Sequence, residues 1–420
     1  MRATFCASVA AAFSITFLTG GVAQAQPTAF SAGNLAVLLV GDGTTPITTG
    51  TVVVPVTLRE YTTAGSTTGF SVTLPTVDSG SNYATTAAMT STSYGFLKRS
   101  VDGQFLTMTG ANIPAGTQVG AFSSGLYPNR VIGRVDVSGN VDSSTRFSAA
   151  GTTPRSVVTT TGTDLWWSGD TGSGNTGGIR YLTLGGTTGV ALAQGTGASA
   201  TTAGQPAPVP YNSRVINIFN GQLYGSSGVS VGASGSNQIS FRGVFNVGTG
   251  LPTTANQLGS LIVGSGTGNA GLQDSAYDFY FADSATLYVG DDDTTAPASG
   301  GLTKWILSGT TWTKTWLALP GGATGVRALA GVTDTGSGTV ELYGITATSS
   351  GQNQLVKLID TLSGTVAPTF STLATAPANY LFRGVALAPV PEPSSTAAGM
   401  IAAAGIGILM RRRRPAADNA

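Results

Sequence analysis

The run Arg327-Ala-Leu-Ala330, followed after a turn by Glu341-Leu-Tyr343, is the unit that decides the fold of this chain. A short apolar strand, a Gly- and Asp-containing turn and a second strand recur in this form, beginning about 58 residues apart. Earlier copies occupy residues 94–108, 155–167, 214–224 and 277–289. A final copy, which consists of the first strand alone, lies at 383–387. Self-similarity at such a period is typical of repeat architectures.

Further strands follow in each repeat, for example Leu302-Thr-Lys-Trp-Ile-Leu307 and Thr311-Trp-Thr-Lys-Thr-Trp-Leu317. Short apolar runs between turn residues indicate an all-β domain, and no long pattern of helical period appears between residues 26 and 389. Four antiparallel strands per period form a β-propeller blade. A β-solenoid is the alternative, but a period of about 58 residues is long for one solenoid coil.

The two ends of this region complement each other. The single strand of the final copy, at 383–387, has no further strands after it with which to pair. Three apolar strands at 34–40, 52–58 and 70–74 precede the first copy. Pairing them in one shared blade closes the ring and removes exposed sheet edges. The sequence therefore predicts a six-bladed β-propeller over residues 26–389.

Composition excludes several classes of function. The 420 residues include 60 Gly and 62 Thr, only 9% are charged, and His is absent. Without imidazole there is no Ser/His/Asp or Cys/His catalytic system and no His-ligated metal. Cys6 is the only cysteine, which excludes disulfide frameworks, zinc sites and iron–sulfur clusters. The net charge of +1, without an internal basic cluster, argues against a nucleic-acid partner.

The N-terminus has the pattern of a secretory signal peptide. Met1 and Arg2 precede an apolar stretch at 5–18 and an A-x-A site formed by Ala23 and Ala25. We expect residues 1–25 to be removed after Ala25 and the protein to be exported.

The C-terminal segment 390–420 carries a second targeting pattern. It consists of Pro391-Glu392-Pro393, an apolar run at 396–410, and the cluster Arg411, Arg412, Arg413 and Arg414. Fifteen helical residues rise only about 22 Å, so a membrane-spanning helix here would be short. The arginines would stay cytoplasmic, leaving the propeller on the other side of the membrane.

These three ordered elements resemble the PEP-CTERM sorting signal. The resemblance implies that an exosortase, a membrane protease, removes the tail after transient anchoring in the inner membrane. It further implies sorting to the surface or extracellular matrix of a Gram-negative bacterium that makes exopolysaccharide. An ordinary anchor helix is the alternative. Motifs such as Gly41-Asp-Gly43, Ser100-Val-Asp-Gly103 and residues 382–389 also resemble propeller proteins that carry this signal, but they imply no particular activity.

Four of the six blades begin their predicted innermost strand with an arginine: Arg155, Arg214, Arg327 and Arg383. Equal positions in the repeat predict guanidinium groups at one height near a mouth of the central channel. Blade two offers Lys98 and Arg99 slightly later, and blade five places Asp278 there. Such a ring suits carboxylates or phosphates of acidic sugars.

A purely structural role competes with this binding hypothesis, and the sequence alone favours it. In that interpretation the arginines pair with nearby acids such as Asp136, Asp164, Asp278 or Asp334, because clustered like charges are rarely left unpaired. The tryptophans at 166, 167, 305, 312 and 316 lie in predicted strands, where we expect them to fill the space between blades.

Carboxylates supply the remaining candidates. Asp291, Asp292 and Asp293 form an acidic loop, and Asp170 begins another, so calcium is a secondary hypothesis, while no other cofactor is expected. Glu60 and Glu341 are the only glutamates outside the targeting segments, and nothing places them together as an acid–base pair. The sequence favours a structural or glycan-interacting protein, with a carboxylate-dependent glycosidase or lyase as the alternative.

Overall fold

The computed structural model describes residues 27–48, 52–91, 94–118, 126–149, 152–170, 177–192, 207–228, 230–231, 239–264, 275–292, 300–321, 325–347 and 351–391. Every regular element in these ranges is a β-strand. Within them no helix is long and apolar enough to cross a membrane. The predicted signal peptide and the apolar run at 396–410 lie outside the described residues.

Six four-stranded antiparallel sheets form the blades, numbered here along the chain and written from the innermost strand outward. Blade 1 comprises Tyr380–Leu387, Leu35–Gly41, Val56–Tyr61 and Thr67–Thr73. Blade 2 comprises Lys98–Arg99, Phe105–Ala111, Asn129–Asp136 and Val141–Ser148. Blade 3 comprises Pro154–Thr159, Asp164–Gly169, Gly178–Thr183 and Val190–Ala191.

The remaining blades follow the same order. Blade 4 comprises Ile216–Phe219, Gln222–Ser227, Gly243–Asn246 and Leu261–Gly264. Blade 5 comprises Ala276–Phe281, Thr286–Asp291, Gly301–Ser308 and Thr311–Ala318. Blade 6 comprises Val326–Asp334, Thr339–Thr346, Gln354–Thr361 and Ser371–Thr375. Short strand pairs outside the blades are Val53–Val54 with Ala87–Ala88, Ala207–Pro208 with Leu258–Gly259, and Ser230–Val231 with Ile239–Ser240.

The C-terminal strand closes the ring, as the sequence predicts. Tyr380–Leu387 pairs antiparallel with Leu35–Gly41, from Leu387 opposite Leu35 to Tyr380 opposite Gly41. Innermost strands of consecutive blades touch around the ring, and the strand of blade 1 touches those of blades 6 and 2. The six-bladed propeller is therefore confirmed and the solenoid alternative is wrong.

Hydrophobic clusters fill the spaces between neighbouring blades. Trp166 and Trp167 show how alternation along one strand serves two interfaces. The ring of Trp167 lies 4.6 Å from that of Phe147 in blade 2. Trp166 packs toward blade 4 and donates its indole N–H to the carbonyl of Pro252 at 2.7 Å. The structural interpretation of these tryptophans is correct.

One buried ion pair joins blades 5 and 6. Lys304 Nζ lies 2.8 Å from Asp360 Oδ2, and both side chains are almost wholly buried. Lys304 also donates to the carbonyls of Thr361 and Gly364, and the Tyr288 hydroxyl donates to Asp360 at 2.7 Å. Both charges are thus enclosed by hydrogen-bond partners, which a buried pair needs in order to be stable.

We expect Lys304→Met to lower the free energy of unfolding by about 3–5 kcal/mol, because Asp360 would remain buried without its cation. The double variant Lys304→Met/Asp360→Leu should recover most of that loss, since both charges are then absent. Urea unfolding followed by tryptophan fluorescence measures both values. A single variant within about 1 kcal/mol of the wild type would contradict this role for the pair.

Gly384 sits where the backbones of blades 1 and 2 lie close together. A Cβ on Gly384 would overlap the carbonyl oxygen of Gly95 and the amide nitrogen of Leu97, both of which are backbone atoms. We expect Gly384→Ala to lower the unfolding free energy by about 1–3 kcal/mol. Gly321→Ala is the matched control, because its Cβ would meet nothing within 4 Å. Equal unfolding temperatures for the two variants would show that the close contact of blades 1 and 2 at Gly384 does not contribute to stability.

Candidate functional site

Three of the predicted arginines are the extra residues of β-bulges in their innermost strands. In blade 3, Pro154 faces Gly169 and Ser156 faces Ser168, so Arg155 has no residue opposite it. The same shift in register leaves Arg327 unopposed in blade 6 and Arg383 unopposed in blade 1. Because a bulge changes the direction of the strand and its side chains, the repeat places these guanidinium groups at one level.

Arg214 occupies the same level just before the innermost strand of blade 4. Its amide donates to the Ser226 carbonyl at 2.8 Å, and the next amide, of Val215, donates to the Ser226 hydroxyl at 3.1 Å. Two residues therefore face one, as in the other blades. All four arginines therefore occupy equivalent positions at the innermost strands of their blades.

In blade 5 the corresponding position holds Tyr277, whereas the sequence analysis assigned it to Asp278. The bulge of this blade spans both residues, between Ala276 and Phe279. Tyr277 points toward the arginines: its ring centroid lies 4.1 Å from the guanidinium carbon of Arg214 and 5.5 Å from that of Arg327. The prediction for Asp278 was wrong by one residue.

Tyr277 contacts two of the arginines and interacts electrostatically with the other two. Besides its ring contacts with Arg214 and Arg327, it lies within electrostatic range of Arg155 and Arg383. The Tyr277 side chain is buried. We call these five residues the arginine mouth. They come from five of the six blades and surround the channel at the N-terminal ends of the innermost strands.

Two arginines of the mouth use neutral acceptors. Arg155 Nη1 donates to Asn212 Oδ1 at 2.6 Å and to the Ser213 carbonyl at 3.0 Å. Arg383 Nη2 donates to the Met89 carbonyl at 2.8 Å. Among the described residues neither forms an ion pair, and the Nε atoms of both are buried without an acceptor.

The other two arginines share one carboxylate, that of Asp292. Arg327 Nε donates to Asp292 Oδ2 at 2.7 Å, and Arg214 Nη1 lies 4.0 Å from Oδ1. Arg214 also donates to the hydroxyl of Ser275, which in turn donates to Asp292 Oδ1. Both guanidinium side chains remain 19% exposed, so solvent and ligands can reach them.

The acids proposed as structural partners are engaged elsewhere. Asp136 accepts from Asn140, Asp164 accepts from the Tyr181 hydroxyl, and Asp334 accepts from Ser337. The fourth, Asp278, pairs with Lys98. The predicted pairings are therefore wrong, and Asp292 directly neutralises only part of the positive charge at the mouth.

Burial and mutual repulsion act on the pKa values of these arginines. Burial, followed by repulsion from Arg327, lowers the pKa of Arg383 to about 9. Burial also lowers the pKa of Arg155, with a smaller contribution from Arg214, while Asp170 and Tyr277 oppose the shift. Burying these like charges close together is therefore electrostatically unfavourable.

Lys98 and Arg99 do not reach the mouth. Lys98 forms a buried ion pair with Asp278 across the channel, and Asp278 also accepts the amide N–H groups of Phe279 and Leu329. Burial raises the pKa of Asp278, which Lys98 and these amides counteract. Arg99 lies further along the strand and donates to the Gly103 carbonyl.

The calcium candidates have partners in the protein. Asp291 accepts the amide of Ser275 at 2.8 Å, Asp292 binds Arg327, and Asp293 lies outside the described residues. In the described ranges no group of three or more His, Cys, Asp or Glu side chains is arranged to hold a metal ion.

The two glutamates lie in different blades with separate partners. Glu60, in the third strand of blade 1, accepts from the Thr68 hydroxyl at 2.7 Å. Glu341, in the second strand of blade 6, lies 3.0 Å from Lys357 Nζ. Of the predicted processing residues, Pro391 ends the described chain. Ala23, Ala25, Glu392, Pro393 and the four tail arginines lie outside it.

Sequence reasoning missed Tyr277 and Asp292 as members of this site. Aligning the repeats on their first residues puts Tyr277 level with the arginines, so that signal was present. Asp292 follows the second strand of blade 5, and only the folded loop shows that it turns toward blades 4 and 6.

No protein-family model matches this chain, and the comparison with curated proteins found no match. The extracellular domain of the putative hybrid two-component system BT4673 from B. thetaiotaomicron aligns over 85% of this chain and 40% of its own, with 11% identity and a TM-score of 0.37. Kuenenia stuttgartiensis hydrazine synthase aligns over 79% and 80%, with 11% identity and a TM-score of 0.36.

The β-propeller domain of the Trilobed protease from Pyrococcus furiosus aligns over 80% of this chain and 97% of its own. Its identity is 10% and its TM-score is 0.34. These likenesses are distant, and the strand pairing itself defines the fold of this chain.

The stability of the Arg383→Met variant distinguishes an arginine that serves ligand binding from one that stabilises the fold. We expect this variant to unfold with an unchanged free energy or one higher by up to about 2 kcal/mol, because it removes a buried cation that has no carboxylate partner. Denaturant unfolding measures the difference. A loss of more than about 1 kcal/mol would show that the hydrogen bond to Met89 makes Arg383 a structural residue.

Proposed function

We propose that this protein is exported and displayed as a propeller that binds acidic polysaccharide at its arginine mouth. The observation that carries the proposal is the grouping of four guanidinium groups around Tyr277, with one carboxylate directly paired to them. Incomplete neutralisation leaves a local positive site that a ligand carboxylate would complete.

The two exposed arginines of the mouth, Arg214 and Arg327, have further N–H donors that a ligand can use. Arg214 donates from Nη1 and Arg327 from Nε in the contacts described above. Each guanidinium has five N–H donors, so the remaining nitrogens suit a planar carboxylate such as that of a uronic acid. Arg155 and Arg383 add attraction for the anion over a longer range.

Local charge, rather than net charge, would recruit such a ligand. Without Arg2, the four tail arginines, Glu392 and Asp418, the chain has 15 basic and 17 acidic residues. A slightly acidic body repels polyanions weakly on average. Binding therefore requires the concentration of arginines that the repeat produces at one mouth.

Hydrogen bonds near the C-terminal end of the propeller support an orientation in which the arginine mouth faces away from the membrane. The Val390 amide donates to the Gly103 carbonyl, and the Ala388 amide donates to the Asn34 carbonyl. Gly103 and Asn34 both lie at the C-terminal ends of the innermost strands, opposite the arginine mouth. A chain held by its C-terminal segment would thus direct the arginines away from the membrane and toward the matrix.

Export and sorting belong to the same proposal. The signal-peptide pattern ending at Ala25 and the tail containing Pro391-Glu392-Pro393 and four arginines support passage through the inner membrane and processing by an exosortase. The matrix of a bacterium that makes exopolysaccharide would then supply the acidic glycan.

The test is binding of polygalacturonate, with dextran as the neutral polysaccharide, to the purified full chain. We expect binding of the polyanion alone, and weaker binding as salt screens the charges. Arg214→Gln and Arg327→Gln should each weaken binding roughly tenfold, as loss of a charge-assisted hydrogen bond implies.

Arg146→Gln is the matched control. Arg146 lies on the outermost strand of blade 2, 3.7 Å from Asp78, and its replacement removes the same charge far from the mouth. Binding that falls equally in all three variants would indicate nonspecific attraction. Wild-type affinity in Arg214→Gln and Arg327→Gln would leave the mouth with a structural role only.

A further inference from the structure

A cavity lies in the channel beyond the arginine mouth, and its lining points to a different ligand. This cavity has a volume of about 130 Å³ and lies between the innermost strands of blades 1, 2, 4, 5 and 6. Its wall residues follow the mouth residues by two to four positions, which corresponds to about 7–13 Å along a strand. It therefore lies toward the opposite end of the channel.

Apolar residues form a large part of its wall. They are Leu97, Phe279, Leu329, Val385 and Leu387. An apolar cavity of about 150 Å³ accommodates benzene, so this space suits a compact molecule of about six non-hydrogen atoms.

Two basic residues contribute to the wall of the cavity. Lys98 lines it and is only 6% exposed, and Arg99 lies beside it. The Lys98 ammonium has three N–H donors, but in the part of the chain that the structure describes Asp278 is its one hydrogen-bond acceptor. The other donors require acceptors, because leaving buried donors unsatisfied is costly.

Asp278 has little capacity left to meet that requirement. Its carboxylate already accepts the amides of Phe279 and Leu329 in addition to Lys98. Asp278 is thus committed, and an acceptor in the cavity would complete the hydrogen bonds of the Lys98 ammonium.

We propose that this cavity binds a small organic carboxylate with a short hydrocarbon chain. The carboxylate would accept from Lys98, with Arg99 adding attraction over a longer range, and the hydrocarbon part would contact Leu329 and Val385. The site is separate from the arginine mouth, so it does not depend on the polysaccharide proposal.

Butyrate is a suitable probe because it has six non-hydrogen atoms, and butyramide is its uncharged counterpart. For the full chain we expect a Kd for butyrate on the order of 1 mM, measured by calorimetry or ligand-observed NMR. Butyramide and inorganic phosphate should bind at least about tenfold more weakly, since the first lacks the charge and the second lacks the apolar chain.

Lys98→Met should abolish butyrate binding, but it also leaves Asp278 without its cation, so the variant can fail to fold. Ala330→Leu supplies the second test: Ala330 lines the cavity, and a larger side chain would fill it while the ion pair remains. We expect Ala330→Leu to weaken butyrate binding at least about tenfold. Arg146→Gln, on the outermost strand of blade 2 and outside both proposed sites, is the control and should bind butyrate normally.

Several results would overturn the proposal. They are the absence of saturable butyrate binding to the wild type, equal binding of butyramide or phosphate, and normal butyrate binding by a folded Ala330→Leu variant. The first of these would mean that water alone satisfies Lys98.

Discussion

The pairing of Tyr380–Leu387 with Leu35–Gly41 is the constraint on which the rest of the structure depends. It joins the two ends of the repeat region and supplies blade 1 with its innermost strand, so every blade has a neighbour on both faces. The interblade clusters need this closure, because an open ring would expose the apolar faces of blades 1 and 6. It also fixes Arg383 in the channel and brings both ends of the propeller to the face opposite the arginine mouth.

The repeat also concentrates a small number of charges at the arginine mouth. Only 9% of the residues are charged, yet one bulge position brings guanidinium groups from four blades around the ring of Tyr277. Asp292 holds Arg214 and Arg327 in place, while Arg155 and Arg383 rely on neutral acceptors. Such an arrangement is ordered before any ligand arrives, so an acidic ligand would lose little affinity to rearrangement of the site.

The number of blades, their strands and the closure could be predicted from the sequence, because apolar runs and turns repeat regularly and the strand deficit after 387 matches the surplus before 75. The equivalent positions of the four arginines in their blades followed from the same repeat. The position of Tyr277 could also have been predicted, because aligning the repeats on their first residues already places Tyr277, and not Asp278, level with the arginines. The partners of the charges, however, were beyond prediction: Lys98 and Asp278 are 180 residues apart, and Asp292 reaches Arg327 through a loop.

Hydrogen–deuterium exchange of the full chain with and without a galacturonate oligosaccharide tests the central claim most directly, because it reports on five distant segments at once. The account predicts slower exchange on binding at the backbone amides around residues 154–156, 213–215, 276–278, 326–328 and 382–384, which surround the mouth. Amides on the outermost strands, such as Val141–Ser148, should not change. Protection confined to outer strands, or none at a saturating ligand concentration, would contradict an arginine-lined binding site in the channel.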